Sequence, residues 1–555
     1  MCGIFGLLNY DSSSDSILDI INTYFMLGSK RGPEYSQLKN VNDSLIMGFH
    51  RLAINGLNPQ SHQPFNIMNV VSVTNGEIYN HSKLSRDHGF NLETQSDCEI
   101  ITHMYKLVDK HCFTMLDGVF ATIVYDEIKK RILIARDPYG VRPLYICHYK
   151  NGGIGFCSDI APLLFDKKIL NIDQFAPGTY QIYDLDVWSG KYILNSHNRY
   201  FSCKAVMQNT PKEHTLPIEY YMKKFVQLLE NSIKKRVENC ERQICCLLSG
   251  GLDSSIISAY VSKFYPKKIE TYSIGLENAT DFKYASMVAK HIGSHHHEII
   301  TSNEDFIESI PNVIHDVESY DTTTIRASVG NWNIGKYIRA NSDAKVVFNG
   351  DGADELMGGY LYFHKAPSHQ DFHDECIRLL CNISHYDVLR SDKSISSHGL
   401  EPRTPFLDKE LTTFYLNMPI QYRNHAQNEQ CEKYFIRKAI ELFEPKLLPK
   451  EVLWRTKEAF SDGVSSIEKS WYEIIQENVG KYESFFNENT DTKHCLMIPK
   501  TGEQCYYQNI FLEKFNESCI NLNKYYWMPS FIDATDSSAR TLEVYQVEHN
   551  KVVEE

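Results

Sequence analysis

From position 244 to 348 the chain alternates short apolar runs with amphipathic stretches, and this alternation constrains the fold more than any other feature. Residues 244–248, 269–274, 297–300 and 345–348 read as strands, and 254–264, 282–292 and 305–314 as helices between them. Strands separated by helices of that length demand crossovers, so the sheet must be parallel and wrapped by helices. A helix over 218–239, with Tyr221, Phe225, Leu228, Leu229, Ile233 and Val237 on one face, leads into it.

Upstream the pattern is different. Apolar or alternating runs recur at 2–8, 44–50, 70–75, 119–125, 131–136 and 145–149, punctuated by Gly, Asn and Asp. Two helical patterns, 16–27 and 98–110, interrupt them. This predicts a layered α+β domain over residues 2–190. A polar stretch at 191–217, holding Pro211 and Pro217, reads as a linker. The second domain spans 218–530, mostly helical beyond Thr412, and 531–555 reads as a tail. A chain of 555 residues is too long for one ordinary core, which agrees with two domains.

Charge narrows the function. Lys and Arg number 57 against 70 Asp and Glu, a formal net charge of −13, so the chain offers no basic field for nucleic acid. The 15 cysteines include no C-x-x-C pair with zinc spacing and read as free thiols of a reducing compartment. No apolar run reaches membrane-spanning length, and the start lacks a signal-peptide pattern, so a cytoplasmic protein is expected.

Cys2 is the first residue that could carry chemistry. Removal of Met1 would give it a free α-amine of pKa ~7.7–8.0 beside a thiol of pKa ~8.5, so the amine can act as base for its own side chain. Arg31-Gly32-Pro33, His50-Arg51-Leu52-Ala53-Ile54, Asn75-Gly76-Glu77-Ile78-Tyr79-Asn80 and Ser96-Asp97-Cys98-Glu99 follow in order. Arg51 offers a bidentate fork to a carboxylate, Glu77 and Asp97 offer anions to an ammonium, and Asn75 and Gly76 offer amide donors to an oxyanion. Taken singly, each segment is also an ordinary turn or strand end. Together, with Arg136-Asp137-Pro138-Tyr139-Gly140-Val141-Arg142-Pro143, the set resembles the class II glutamine amidotransferases. Their N-terminal-nucleophile fold stacks β-sheets between helices.

Ser249-Gly250-Gly251-Leu252-Asp253-Ser254 lies between a predicted strand and helix, where backbone N–H groups can approach phosphate. No Gly-Lys-Ser/Thr ends it, so it is not a Walker loop. It resembles the pyrophosphate loop of ATP pyrophosphatases. Asn349-Gly350-Asp351-Gly352-Ala353-Asp354-Glu355 follows strand 345–348 and should reach the same sheet edge. Asp253 and Asp354 are the candidates for Mg²⁺, a cation that prefers hard oxygen ligands. Arg326 and Lys457 could stabilise charge on a departing pyrophosphate.

With Gly358-Gly359-Tyr360 and Arg403-Thr404-Pro405-Phe406-Leu407-Asp408, the whole resembles the glutamine-hydrolysing asparagine synthetase family, from Cys2 to about Gly463 and again around Ser537-Ser538-Ala539-Arg540. The resemblance implies synthesis of L-asparagine from L-aspartate, with ammonia from glutamine, through a β-aspartyl-AMP intermediate that yields AMP, pyrophosphate and glutamate. Cys2, Asn75, Gly76, Asp351, Arg326 and Lys457 would be catalytic. Arg51, Leu52, Ala53, Ile54, Asn55, Asn75, Gly76, Glu77 and Asp97 would hold glutamine. Leu247, Ser249, Gly250, Gly251, Asp253, Ser254, Ile274, Asn349 and Gly350 would meet ATP. A homodimer is compatible with the family, although no heptad repeat marks an interface. One departure stands out: the family usually reads Ser-Gly-Glu-Gly where this chain reads Asn349-Gly350-Asp351-Gly352. β-Lactam synthetases share both domains but do not need Cys2, and a chain retired from catalysis would explain Asp351 alone.

Overall fold

The computed structural model describes residues 1–10, 15–206, 216–457, 465, 469–479, 495–515, 517–534 and 536–538. Residues 458–463 and 539–540 of the expected motifs lie outside the described residues.

Twelve strands build two six-stranded sheets in the first 199 residues. One runs β10 (Ile169–Gln174), β8 (Tyr145–Tyr149), β9 (Ile154–Cys157), β1 (Gly3–Leu8), β3 (Leu45–Arg51), β2 (Tyr35–Asn42). The other runs β12 (Lys191–Arg199), β11 (Thr179–Asp186), β7 (Arg131–Arg136), β6 (Gly118–Asp126), β5 (Val70–Ile78), β4 (Phe65–Ile67). Ile4, Met47 and Phe49 of the first sheet share a buried cluster with Val71, Val73, Ile123 and Ile134 of the second, so the sheets stack face to face. Helix α1 (Asp15–Phe25) packs Ile21 and Phe25 on the outer side of the first sheet against Phe5 and Leu7. Helix α2 (Ile100–Val108) covers the outer side of the second with Ile101, Met104 and Tyr105. Helix, sheet, sheet, helix is the N-terminal-nucleophile layering expected. The sheet continues through β12 into residues read from sequence as linker. That strand is a mostly exposed edge, so its polar face shows little alternation to read.

The second half opens with α3 (Ile218–Glu238), whose Phe225, Leu229, Ile233 and Val237 are buried. Five parallel strands follow in the order β15 (His295–Thr301), β14 (Glu270–Leu276), β13 (Ile244–Leu247), β16 (Val346–Phe348), β17 (Glu401–Arg403). The chain starts at the centre, builds outward to β15, then returns to the other side of β13. The order therefore reverses between β13 and β16, and open α/β sheets bind ligands in the crevice at such a point. Helices α4 (Leu252–Phe264), α5 (Thr280–Ile292), α6 (Thr322–Asn341) and α7 (Asp387–Ser396) wrap this sheet. Leu52, Ile54 and Val141 of the first half share a buried cluster with Phe225, Leu229 and Phe406 of the second, so one core crosses between the halves. No described helix is long and apolar enough to cross a membrane.

Candidate active sites

The N-terminal candidate residues converge where β1 begins and β3 and β5 end. Cys2 is partly buried, and its thiol donates to the carbonyl of Leu52 at 3.5 Å. Burial pushes that thiol above its ordinary value, against the pull of the nearby chain amine and Arg51. Met1 precedes it and is fully buried; its amine donates to Leu400 O at 3.2 Å, and burial brings it down to about 5. Arg31 Nε holds the Cys2 carbonyl at 3.0 Å.

The segment after β3 curls back over this point. Ala53 N donates to Glu34 at 2.7 Å and Asn55 Nδ2 to Glu77 Oε2 at 2.6 Å. The Arg51 guanidinium is fastened to the carbonyls of Asn58, at 3.0 Å, and Gly56. Asn75 Nδ2 lies 3.5 Å from Ser158 Oγ, and its buried Oδ1 has no hydrogen-bond partner. Asp97 accepts from Ile78 N at 2.7 Å. Glu77 is buried beside Asp97 and Glu401, and burial together with those two acids pushes its carboxyl well above the usual range. Sequence reasoning missed two residues that hold these acids, both from the second half: Asn239, which bonds Glu77 and Asp97, and Arg403, 3.3 Å from Glu77. Asn239 sits in no motif, and Arg403, though it opens the Arg403–Asp408 segment, shows no role locally, because each matters through a partner more than 140 positions away.

The second site is a cavity of about 230 Å³ at the reversal point of the parallel sheet. Leu247, Ser249, Gly251, Asp253 and Ser254 line one side and Asn349, Gly350, Asp351 and Asp354 the other, with Ile274 and Lys457 also at its wall. Of the ATP candidates only Gly250 is absent from the wall. Its φ of 74° and a would-be Cβ 2.4 Å from Ala285 N make it the hinge of the loop. Gly350 lets the two loops touch: a Cβ there would sit 2.8 Å from Cβ of Asp253.

Asp253 and Asp354 converge on one point, because the Lys433 ammonium lies 2.5 Å from an oxygen of each. Lys457 reaches Asp354 at 2.8 Å. These two cations hold the Asp354 carboxyl far below the usual range although burial opposes them. The second oxygen of Asp253 is buried without a hydrogen-bond partner. Among the described residues no group of three or more His, Cys, Asp or Glu could hold a metal ion. Two convergent carboxylates, one with an open oxygen, nonetheless suit a cation that takes its other ligands from phosphate and water.

Arg326 does not join this cavity. Its guanidinium is clamped by Glu503 at 2.9 and 2.5 Å and by Asp536 at 2.7 and 2.8 Å, behind the wall that its helix α6 presents. Lys433, Arg390, Arg437 and Arg455 face the cavity beside Lys457, and the sequence reading gave none of them a role. Arg390 reaches Asp351 at 3.0 Å and Asp387 at 3.1 Å. The other oxygen of Asp351 is buried and has no hydrogen-bond partner.

Comparison with known proteins agrees with the two-site layout. The family described as Glutamine amidotransferase domain matches residues 1–196, and that described as Asparagine synthase matches 224–374 and 367–495. Asparagine synthetase [glutamine-hydrolyzing] of Gallus gallus is 39% identical, covering 98% of this chain and 99% of its own. Its namesake in Homo sapiens is also 39% identical at the same coverage. Among solved structures, a glutamine phosphoribosylpyrophosphate amidotransferase from B. subtilis is 15% identical with a TM-score of 0.30, over 54% of this chain and 81% of that one.

Proposed function

The chain belongs to the glutamine-hydrolysing asparagine synthetase family, and from that premise we propose that it makes L-asparagine from L-aspartate and ATP with nitrogen drawn from L-glutamine. The observation that carries the proposal is the pairing, in one chain, of the residues gathered around Cys2 with the cavity where the Ser249–Ser254 and Asn349–Asp354 loops meet.

In the first site, loss of Met1 turns the Cys2 nitrogen from an amide into an amine that can accept the thiol proton. The thiolate attacks the glutamine side-chain amide. Asn75 Nδ2 and the Gly76 N–H stabilise the resulting oxyanion, and the departing ammonia leaves a thioester that water cleaves to glutamate. Arg51 takes the glutamine carboxylate, and Glu77 and Asp97 take its ammonium. Leu52, Ala53, Ile54 and Asn55 form the surrounding loop.

In the second site the β-carboxylate of aspartate, unreactive as an anion, attacks the α-phosphorus of ATP. Pyrophosphate leaves and β-aspartyl-AMP forms. Backbone donors of Ser249–Ser254 cradle the phosphates, while Leu247, Ile274, Asn349 and Gly350 wall the nucleotide. Asp253 and Asp354 would hold Mg²⁺, which neutralises phosphate charge when bound. Lys433 and Lys457, already paired with those carboxylates, stand where the departing pyrophosphate gathers charge. Arg390 aims Asp351 at the acyl transfer. Ammonia then displaces AMP and gives asparagine. The test is product analysis: AMP must appear only when aspartate is supplied, with asparagine and glutamate in equal amounts. AMP formed without aspartate, or glutamate formed without any AMP, refutes the proposal.

A further inference from the structure

Between the end of α3 and the start of β13 the chain runs past Asn55, Gly56, Glu77 and Asp97 before it enters the parallel sheet. Asn239, 8% exposed, leads this segment. Its Nδ2 donates to Glu77 Oε2 at 2.9 Å and to Asp97 Oδ2 at 3.2 Å. Its backbone carbonyl accepts from Arg403 Nη1 at 2.9 Å and from Asn55 Nδ2 at 3.4 Å. Two residues on, Glu241 accepts from Gly56 N at 2.8 Å through its side chain and donates its own N–H to Ile54 O at 3.1 Å.

The chemistry of this arrangement is specific. A side-chain amide has two N–H hydrogens, and here each serves one of two neighbouring acids. Two buried acids repel once both are ionised, as they are when an ammonium binds, and would turn apart unless something joined them. The bonds from Asn239 use one oxygen of each acid, Oε2 of Glu77 and Oδ2 of Asp97. An ammonium group, with three donors and a full charge, is the ligand that two acids held together suit.

We propose that Asn239 is the positioning residue that aims Glu77 and Asp97 together at the α-ammonium of glutamine, so that the ATP-side half completes the glutamine pocket of the other half. This rests on the reading above that these two acids receive glutamine. Two connections carry the pocket toward the ATP loops. The segment continues directly into β13, which delivers Ser249–Ser254. Arg403, bonded to the Asn239 carbonyl and 3.3 Å from Glu77, accepts Asn349 N on its own carbonyl at 3.1 Å. Glutamine and the ATP-side loops therefore share fasteners, and coupling between two sites acts equally in both directions.

The test follows glutamate release in Asn239→Ala and Asn239→Asp. The Ala variant keeps the backbone carbonyl that Arg403 and Asn55 use. The Asp variant keeps the shape but sets a third acid between two. Loss of a hydrogen bond to a charged partner is expected to raise the glutamine KM roughly tenfold or more in the Ala variant, and further in the Asp variant, while kcat changes less than KM. Aspartate-dependent AMP release with ammonia as nitrogen source reports whether the ATP-side half is intact. Unchanged glutamine KM in both variants, or a parallel loss of both activities as from a merely structural residue, overturns the inference. Unaltered protein that releases glutamate but never AMP overturns the synthetase reading, and the KM shift still decides the role of Asn239.

Discussion

A carboxyl group buried beside other acids must give up its charge or find a cation, and Glu77 faces that choice. Asp97 and Glu401 push it upward along with burial, while Arg403 and Arg142 pull it down without prevailing. In the free protein Glu77 therefore holds a proton at pH values where an ordinary glutamate is ionised. An arriving ammonium favours the ionised form, so binding must expel that proton. The glutamine KM is expected to fall as pH rises toward the free-state value, and proton release measured in two buffers of different ionisation enthalpy should accompany binding. A KM that climbs over this range contradicts the assignment. Asp351 poses a second question at this scale. Its shorter side chain than the family's usual glutamate is met by Arg390 at 3.0 Å. Asp351→Asn keeps the shape but removes the charge and should cut aspartate-dependent AMP release about 100-fold, the loss that follows removal of one preorganised electrostatic group, and leave glutamate release untouched. Equal loss of both products would place Asp351 outside the ATP-side chemistry.

At the scale of elements, α6 does two jobs on two faces. Thr323, Thr324, Ala327 and Asn331 line the cavity, whereas Arg326 points away into the clamp of Glu503 and Asp536. Arg326→Met strands two acids, one of them fully buried, and should cost about 3–5 kcal/mol of stability, read as a lower midpoint in urea. An effect confined to kcat, with the midpoint unmoved, would return Arg326 to the catalytic site. Patterns reveal an element but not which of its faces a single residue takes. Strands β1, β3, β5, β6, β7 and β8 and four of the five parallel strands, β13 to β16, were legible because their apolar residues repeat at strand or helix spacing, whereas β17, reading Glu-Pro-Arg, was not. The edge strands β2 and β12 were not, since a half-solvated edge carries mixed residues. The triplet His295-His296-His297 forms the start of β15, two residues before the strand read from sequence, with His296 bonded to Thr271 at 3.0 Å and His297 stacked on Tyr272 at 4.7 Å. Motif residues beside glycine turns were legible as loops. Lys433 was not: it looks like any surface lysine, and only a contact 180 positions away makes it part of the site.

Across the whole molecule the two pockets are separate in chemistry yet joined in structure. Cys2→Ala should abolish asparagine formation from glutamine while ammonia still supports it, and loss of both would mean that the pockets cannot act apart. The join runs through buried charge. Arg31, which holds the Cys2 carbonyl, is itself held by Asp392 of the ATP-side half at 2.7 Å. The nucleophile's own backbone is thus gripped by a cation that an acid of the other half grips in turn, so a strain that pries the halves apart is felt at Cys2 itself.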